Sequence, residues 1–89
     1  MQRQEFVIQN KVGLHARPAA ALVQTANKFD SNITIGKDGK TASAKSILEV
    51  LTLGAEEGSV ISIEIEGSDE QQAMKAVEAL VNNKFGNEE

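Results

Sequence analysis

Val60-Ile61-Ser62-Ile63-Glu64-Ile65-Glu66 alternates without interruption, with Ile61, Ile63 and Ile65 on one face and Ser62, Glu64 and Glu66 on the other. Side chains of a strand point to opposite faces in turn, so one side of this segment is buried and the other is wet. A strand covered on both sides would read as a continuous apolar run. The alternation instead predicts an antiparallel sheet covered on one face only.

Downstream, Ser68-Asp69-Glu70-Gln71 reads as a capping box that opens a helix. That helix carries Ala73, Met74, Val77, Leu80, Val81 and Phe85 inward and ends near Gly86, leaving Asn87-Glu88-Glu89 as a frayed tail. Upstream, Glu56-Glu57-Gly58 is a turn, and Gly54 stops a short helix opened by Ser46-Ile47-Leu48-Glu49. In this second capping box Ser46 is the N-cap and Glu49 reaches back. Thr41 to Ala44 and Ile33-Thr34-Ile35 read as two strands joined through Lys37-Asp38-Gly39-Lys40, whose Asp-Gly favours a tight hairpin. Asp30-Ser31-Asn32 break a helix from about Ala16 to Lys28, with Ala19, Leu22, Val23 and Ala26 on one face and Phe29 closing it. Gln4 to Gln9 forms the first strand, Phe6 and Ile8 inward, and Asn10 to Gly13 the connection. The order is βαββαβα, a two-layer α+β fold with three helices on one side of the sheet, in a single domain over residues 1–89. The pattern does not set the strand order, and a ferredoxin-like arrangement shares most of this element order.

Composition narrows the function. A chain of 89 residues buries roughly two-thirds of its unfolded surface, enough for one modest core. It has no cysteine, which excludes disulfides, iron–sulfur clusters and thiolate zinc sites, and its single histidine excludes a multi-histidine metal site within one chain. A net charge of -4 and only three aromatic residues, Phe6, Phe29 and Phe85, argue against a nucleic-acid partner. No stretch approaches the ~20 apolar residues that cross a bilayer. The first residues also lack the apolar run of a signal peptide, so a cytoplasmic location is expected.

The histidine lies in Gly13-Leu14-His15-Ala16-Arg17-Pro18-Ala19-Ala20. Glycine permits a sharp turn, and proline suits the first helical turn, where its missing N–H has no partner to lose. His15 therefore falls at or just before a helix N-terminus, whose unpaired N–H groups and partial positive charge attract anions. A lone histidine in an arbitrary domain is more often a surface loop residue or an ordinary cap. Three features argue otherwise here: the fixed helix start, the bidentate phosphate donor Arg17, and the small residues Ala16, Ala19 and Ala20, which leave room for a large partner. General acid–base catalysis needs an orienting carboxylate, and none lies in the local motif. Nucleophilic use of His15 needs less, since neutral imidazole is abundant at pH 7. A phosphoryl carrier must also let its cargo go, and a solvent-exposed helix end contributes only about 0.3–1 kcal/mol, which orients a phosphate without trapping it.

The stretch Gly13 to Ala19 resembles the active-site signature of the HPr family, the histidine-containing phosphocarriers of the bacterial phosphoenolpyruvate–sugar phosphotransferase system. Lys45-Ser46-Ile47-Leu48-Glu49-Val50-Leu51-Thr52-Leu53-Gly54 resembles that family's regulatory-serine segment. The likeness spans essentially the whole chain. It implies an open-faced β-sandwich with a four-stranded antiparallel sheet of order 1-4-2-3 under three helices. It further implies that His15 accepts phosphate on Nδ1 from phosphorylated Enzyme I and passes it to the A domains of sugar-specific Enzymes II. Arg17 would steady the phosphate, and the backbone N–H groups of Ala16 and Arg17 would be further donors. The protein would be a phosphocarrier rather than a catalyst, a monomer without metal or other cofactor. A carrier of the nitrogen-related branch and a regulatory binding module of the same fold are the alternatives; His15 speaks against the second and Pro18 mildly for the sugar branch.

Ser46 as a plain N-cap contributes about 1 kcal/mol. The resemblance adds its reversible phosphorylation by HPr kinase/phosphorylase, although Leu48 and Glu49 stand where relatives under that control often carry methionine or glycine. Ile47, Leu48, Val50, Leu51 and Leu53 are too many apolar residues for one face of two turns. Val50 and Leu53 are expected to point inward. Ile47, Leu48 and Leu51 are expected to form an exposed patch beside His15 that docks Enzyme I and the Enzyme II domains, completed by Ala16, Ala20 and Gln24. Electrostatic steering toward an acidic partner is expected to rest on Arg17, Lys28 and Lys45.

Overall fold

The three isoleucines of Val60–Glu66 (β4) are fully buried in the computed structural model, which describes residues 1–86. Each such side chain removed from water stabilises the fold by about 1.5–3 kcal/mol. β4 pairs antiparallel with Gln2–Val7 (β1) on one side and Asn32–Lys37 (β2) on the other, and Lys40–Ser43 (β3) completes the order β1-β4-β2-β3. Cross-strand partners build rows on the inner face, Gln4–Ile63–Ile35–Ala42 and Phe6–Ile61 among them. Three helices, Ala16–Ala26 (α1), Ile47–Thr52 (α2) and Glu70–Asn82 (α3), lie on that face and bury one shared core with it. The opposite face carries Arg3, Glu5, Ser62 and Glu64, with the register pair Val7–Val60 exposed at one end. The open-faced order replaces the ferredoxin-like alternative that periodicity left standing.

Several boundaries move. The first strand starts and ends two residues earlier than Gln4 to Gln9. Ile8 is still buried and its backbone bonds the turn before β4, donating to the Ser59 carbonyl and accepting from Gly58 N–H, both at 2.9 Å. α1 ends at Ala26, with Val23 and Phe29 only partly buried at the core's edge, as is Leu80 in α3. β3 runs one residue earlier than Thr41–Ala44.

Neither capping box forms as the spacing suggests. Ser46 does accept from the Glu49 N–H at 3.4 Å, but the Glu49 carboxylate takes the Ser43 N–H at 3.0 Å instead of reaching back to Ser46. The Ser46 N–H is already spent on the Ser43 carbonyl, 3.1 Å away. At α3 the cap is Asp69, not Ser68, and its side chain leaves the helix altogether. Asp69 accepts from the N–H groups of Asp30 and Ser31 at 2.8 and 3.0 Å and from the Ser31 hydroxyl, tying α3 to the connection between α1 and β2. The Ser31 hydroxyl, then the backbone bonds, hold the Asp69 carboxyl below its ordinary value of 3.8.

The last helix stops at Asn82 rather than near Gly86. Lys84–Gly86 is a separate tight turn in which Lys84 and Phe85 take left-handed backbone, φ 51° and 56°, so that Phe85 still reaches the core. The expectation for Asn87-Glu88-Glu89 falls outside the described residues.

Candidate functional site

The connection from β1 to α1 is short and tied at three points. Asn10 is fully buried, its side-chain amide N–H donating to the Lys84 carbonyl at 2.8 Å and its backbone carbonyl accepting from Gly13 N–H at 3.0 Å. Gly13 has φ +69°, and a Cβ there would lie 2.8 Å from the Glu56 Cα. Only glycine allows both this backbone and this approach. Leu14 is buried and its N–H reaches the Ala55 carbonyl at 3.0 Å. The chain then emerges at His15 with its direction set.

His15 is the N-cap of α1. Its backbone is extended (φ -80°, ψ -168°), its carbonyl accepts the Ala19 N–H at 2.9 Å, and its side chain makes no capping bond. The imidazole is exposed. The N–H groups of Ala16 and Arg17 have no acceptor within the helix, and Pro18, buried in the first turn, has no N–H to satisfy. Arg17 is exposed and forms no ion pair among the described residues. The helix start thus offers a nucleophilic nitrogen, two free backbone donors and a guanidinium. That set can accept an anionic group from a large donor without enclosing it.

An open cleft of about 220 Å³ adjoins the ring, lined by Leu14, His15 and Ala16 on one side and Leu51, Gly54 and Glu56 on the other. Leu51 brings α2 to the imidazole. On α2, Ile47, Leu48 and Leu51 are exposed, Leu48 at 74 %, whereas Val50 and Leu53 are buried. On α1, Ala16 and Gln24 are exposed and Ala20 is half-buried, at the four-residue spacing that puts them on one face. Ser46 is half-buried at the start of α2.

The structure changes two expectations about charge. Lys45 is half-buried, its ammonium donating to the Phe29 carbonyl at 2.7 Å, so it is a strut between the segment that follows α1 and the one that precedes α2 rather than a free steering charge. Glu56, an acidic residue, lines the His15 cleft from 41 positions along the chain, where local-motif reading cannot find it. Gly54 and Gly58, the turn signals around it, were the only hint. Among the described residues no group of three or more metal-ligating side chains occurs, and no helix is long and apolar enough to cross a membrane.

Comparison with known proteins agrees with this geometry. Residues 2–83 match the family model described as PTS HPr component phosphorylation site. The chain is 47 % identical over 85 residues to the phosphocarrier protein HPr of Xylella fastidiosa, covering 96 % of each. It is likewise 47 % identical over 81 residues to the HPr-like protein Crh of Halalkalibacterium halodurans, covering 91 % of this chain and 96 % of that one. The crystal structure of HPr from Thermoanaerobacter tengcongensis superposes with a TM-score of 0.95 at 48 % identity, covering all of both chains. The family-model match over residues 2–83, the relatives alike over nearly the whole chain and the shared open-faced sandwich place the chain in the HPr family of phosphocarrier proteins of the phosphotransferase system.

Proposed function

We propose that His15 accepts a phosphoryl group on Nδ1 from phosphorylated Enzyme I and hands it to the A domains of sugar-specific Enzymes II. The protein acts as a cytoplasmic, monomeric carrier, a single domain that is consumed and regenerated rather than a catalyst. The observation that carries this reading is the exposed His15 ring at the N-cap of α1, beside two N–H groups that the helix leaves free. Arg17 and the N–H groups of Ala16 and Arg17 hold the phosphate, each contact modest enough that transfer stays reversible. Ala16, Ala20, Gln24, Ile47, Leu48 and Leu51 form the surface on which Enzyme I and the Enzyme II domains dock. The test is incubation with Enzyme I, Mg²⁺ and phosphoenolpyruvate. An acid-labile, base-stable phosphate should appear on the wild type and be absent from His15→Ala. Label on serine, or none, would point to the regulatory module instead.

Ser46 is a second, regulatory site for HPr kinase/phosphorylase. Its hydroxyl caps α2 through a long 3.4 Å bond, which leaves it free to react, and a phosphate there would meet the positive end of the helix. Incubation with ATP and the kinase should label the wild type and not Ser46→Ala.

A further inference from the structure

Glu56 shares a cleft with His15, and its backbone is held by Ser59. Its N–H donates to the Ser59 hydroxyl at 2.9 Å and its carbonyl accepts from the Ser59 N–H at 2.9 Å. The preceding carbonyl, of Ala55, takes the N–H of Leu14, the residue before His15. The turn that carries the carboxylate is therefore fastened to the segment that carries the imidazole. Among the described residues the Glu56 carboxylate makes no hydrogen bond or ion pair of its own. Lys37, whose ammonium reaches the cleft-lining Gly54 carbonyl at 3.1 Å, also pairs with Asp38 at 3.7 Å. Arg17 does not line the cleft.

We infer that Glu56 sets the phosphoryl-transfer potential of this carrier: a negative charge on the residue that shares the His15 cleft raises the energy of the phosphorylated form. The inference rests on the carrier reading above. In uptake the Nδ1 lone pair forms the new N–P bond while the donor's P–N bond breaks and returns its electron pair to the donor. Nothing is oxidised, and a proton on Nε2 stays in place. With that proton retained, the transferred PO3⁻ unit adds one negative charge to the ring side of the cleft, which Glu56 also lines. Salt screens such a repulsion but does not abolish it. Local design thus balances Arg17 and the helix start, which favour the phosphate, against a carboxylate that favours its departure.

The experiment measures the ratio of phosphorylated to free protein at equilibrium, with catalytic Enzyme I, Mg²⁺ and a fixed ratio of phosphoenolpyruvate to pyruvate. This ratio depends only on the two free forms of the carrier, so docking effects drop out of it. Glu56→Gln should raise the ratio about two- to fivefold at low salt, and the gain should shrink near molar salt. Glu57→Gln removes the same charge from an exposed neighbour outside the cleft and should leave the ratio unchanged. An unaltered ratio in Glu56→Gln overturns the inference. So does an equal shift in both variants, which would report net charge, or a change in uptake rate alone, which would assign Glu56 to docking. Absence of label from wild-type His15 is a different failure: it overturns the carrier reading, and this inference with it.

Discussion

Gly13 shows how much of the site one residue controls. Its left-handed backbone and its contact with the Glu56 Cα leave no space for a methyl group, and the obstacle is backbone that cannot swing aside. Gly39 also has positive φ (+83°), but nothing lies within 4 Å of where its Cβ would be. Gly39→Ala should therefore cost only the conformational penalty, about 1 kcal/mol, while Gly13→Ala adds a clash and costs about 2–3 kcal/mol. In thermal melts the second variant should fall on the order of 10 °C or more below wild type, and the first by about half that or less. Gly13→Ala should also slow phosphoryl uptake, because the displaced turn is the one that aims His15. Parallel melts of the two variants would contradict the close approach.

At the scale of elements, α2 separates the core from the proposed docking surface. Leu48, 74 % exposed, and Val50, fully buried, are two positions apart on the same short helix. Leu48→Asp should leave stability within about 0.5 kcal/mol and slow phosphoryl transfer, whereas Val50→Ala should destabilise by about 1–3 kcal/mol. Urea melts and single-turnover transfer on both variants would check the split. The Asp69 tie between α3 and the α1–β2 connection gives a pH signature. Its folded pKa lies below the ordinary 3.8, so its contribution is complete above that value and fades as pH falls through the folded pKa. The gap in urea midpoint between wild type and Asp69→Ala should be constant from pH 7 to about 5 and close in the acid range below about pH 4. These two elements also mark the limit of reading from sequence. Period-two and helical patterns are local, so β4, the inward side of α2 and the His15 cap were legible from nearest neighbours. The Asp69 tie, the Lys45 strut and the arrival of Glu56 depend on which loops meet in space. A capping-box spacing says that Glu49 can reach a backbone N–H, but the Ser43 N–H was free and the Ser46 N–H was not.

At the scale of the molecule, stability depends on closing the core at its far end. Phe85 is only 2 % exposed and enters the core from a left-handed turn, while the Lys84 carbonyl holds the Asn10 amide in the connection that leads to His15. Phe85→Ala should cost about 3–5 kcal/mol, a large share of the roughly 4–13 kcal/mol expected for a domain of this size. Chemical denaturation would measure it, and a loss under about 1 kcal/mol would show that the turn is dispensable. The sheet is complete within one chain, β1 lying on its own β4 through six register pairs. Sedimentation at micromolar concentration should accordingly report a species of 9.5 kDa. His15 and the exposed leucines of α2 crowd onto a single small face. On the proposed docking surface there would be room for one visitor at a time: giver and taker would queue for the same seat. Relay speed then depends on departures as much as on arrivals, and a partner that lingers becomes an inhibitor of the traffic it serves.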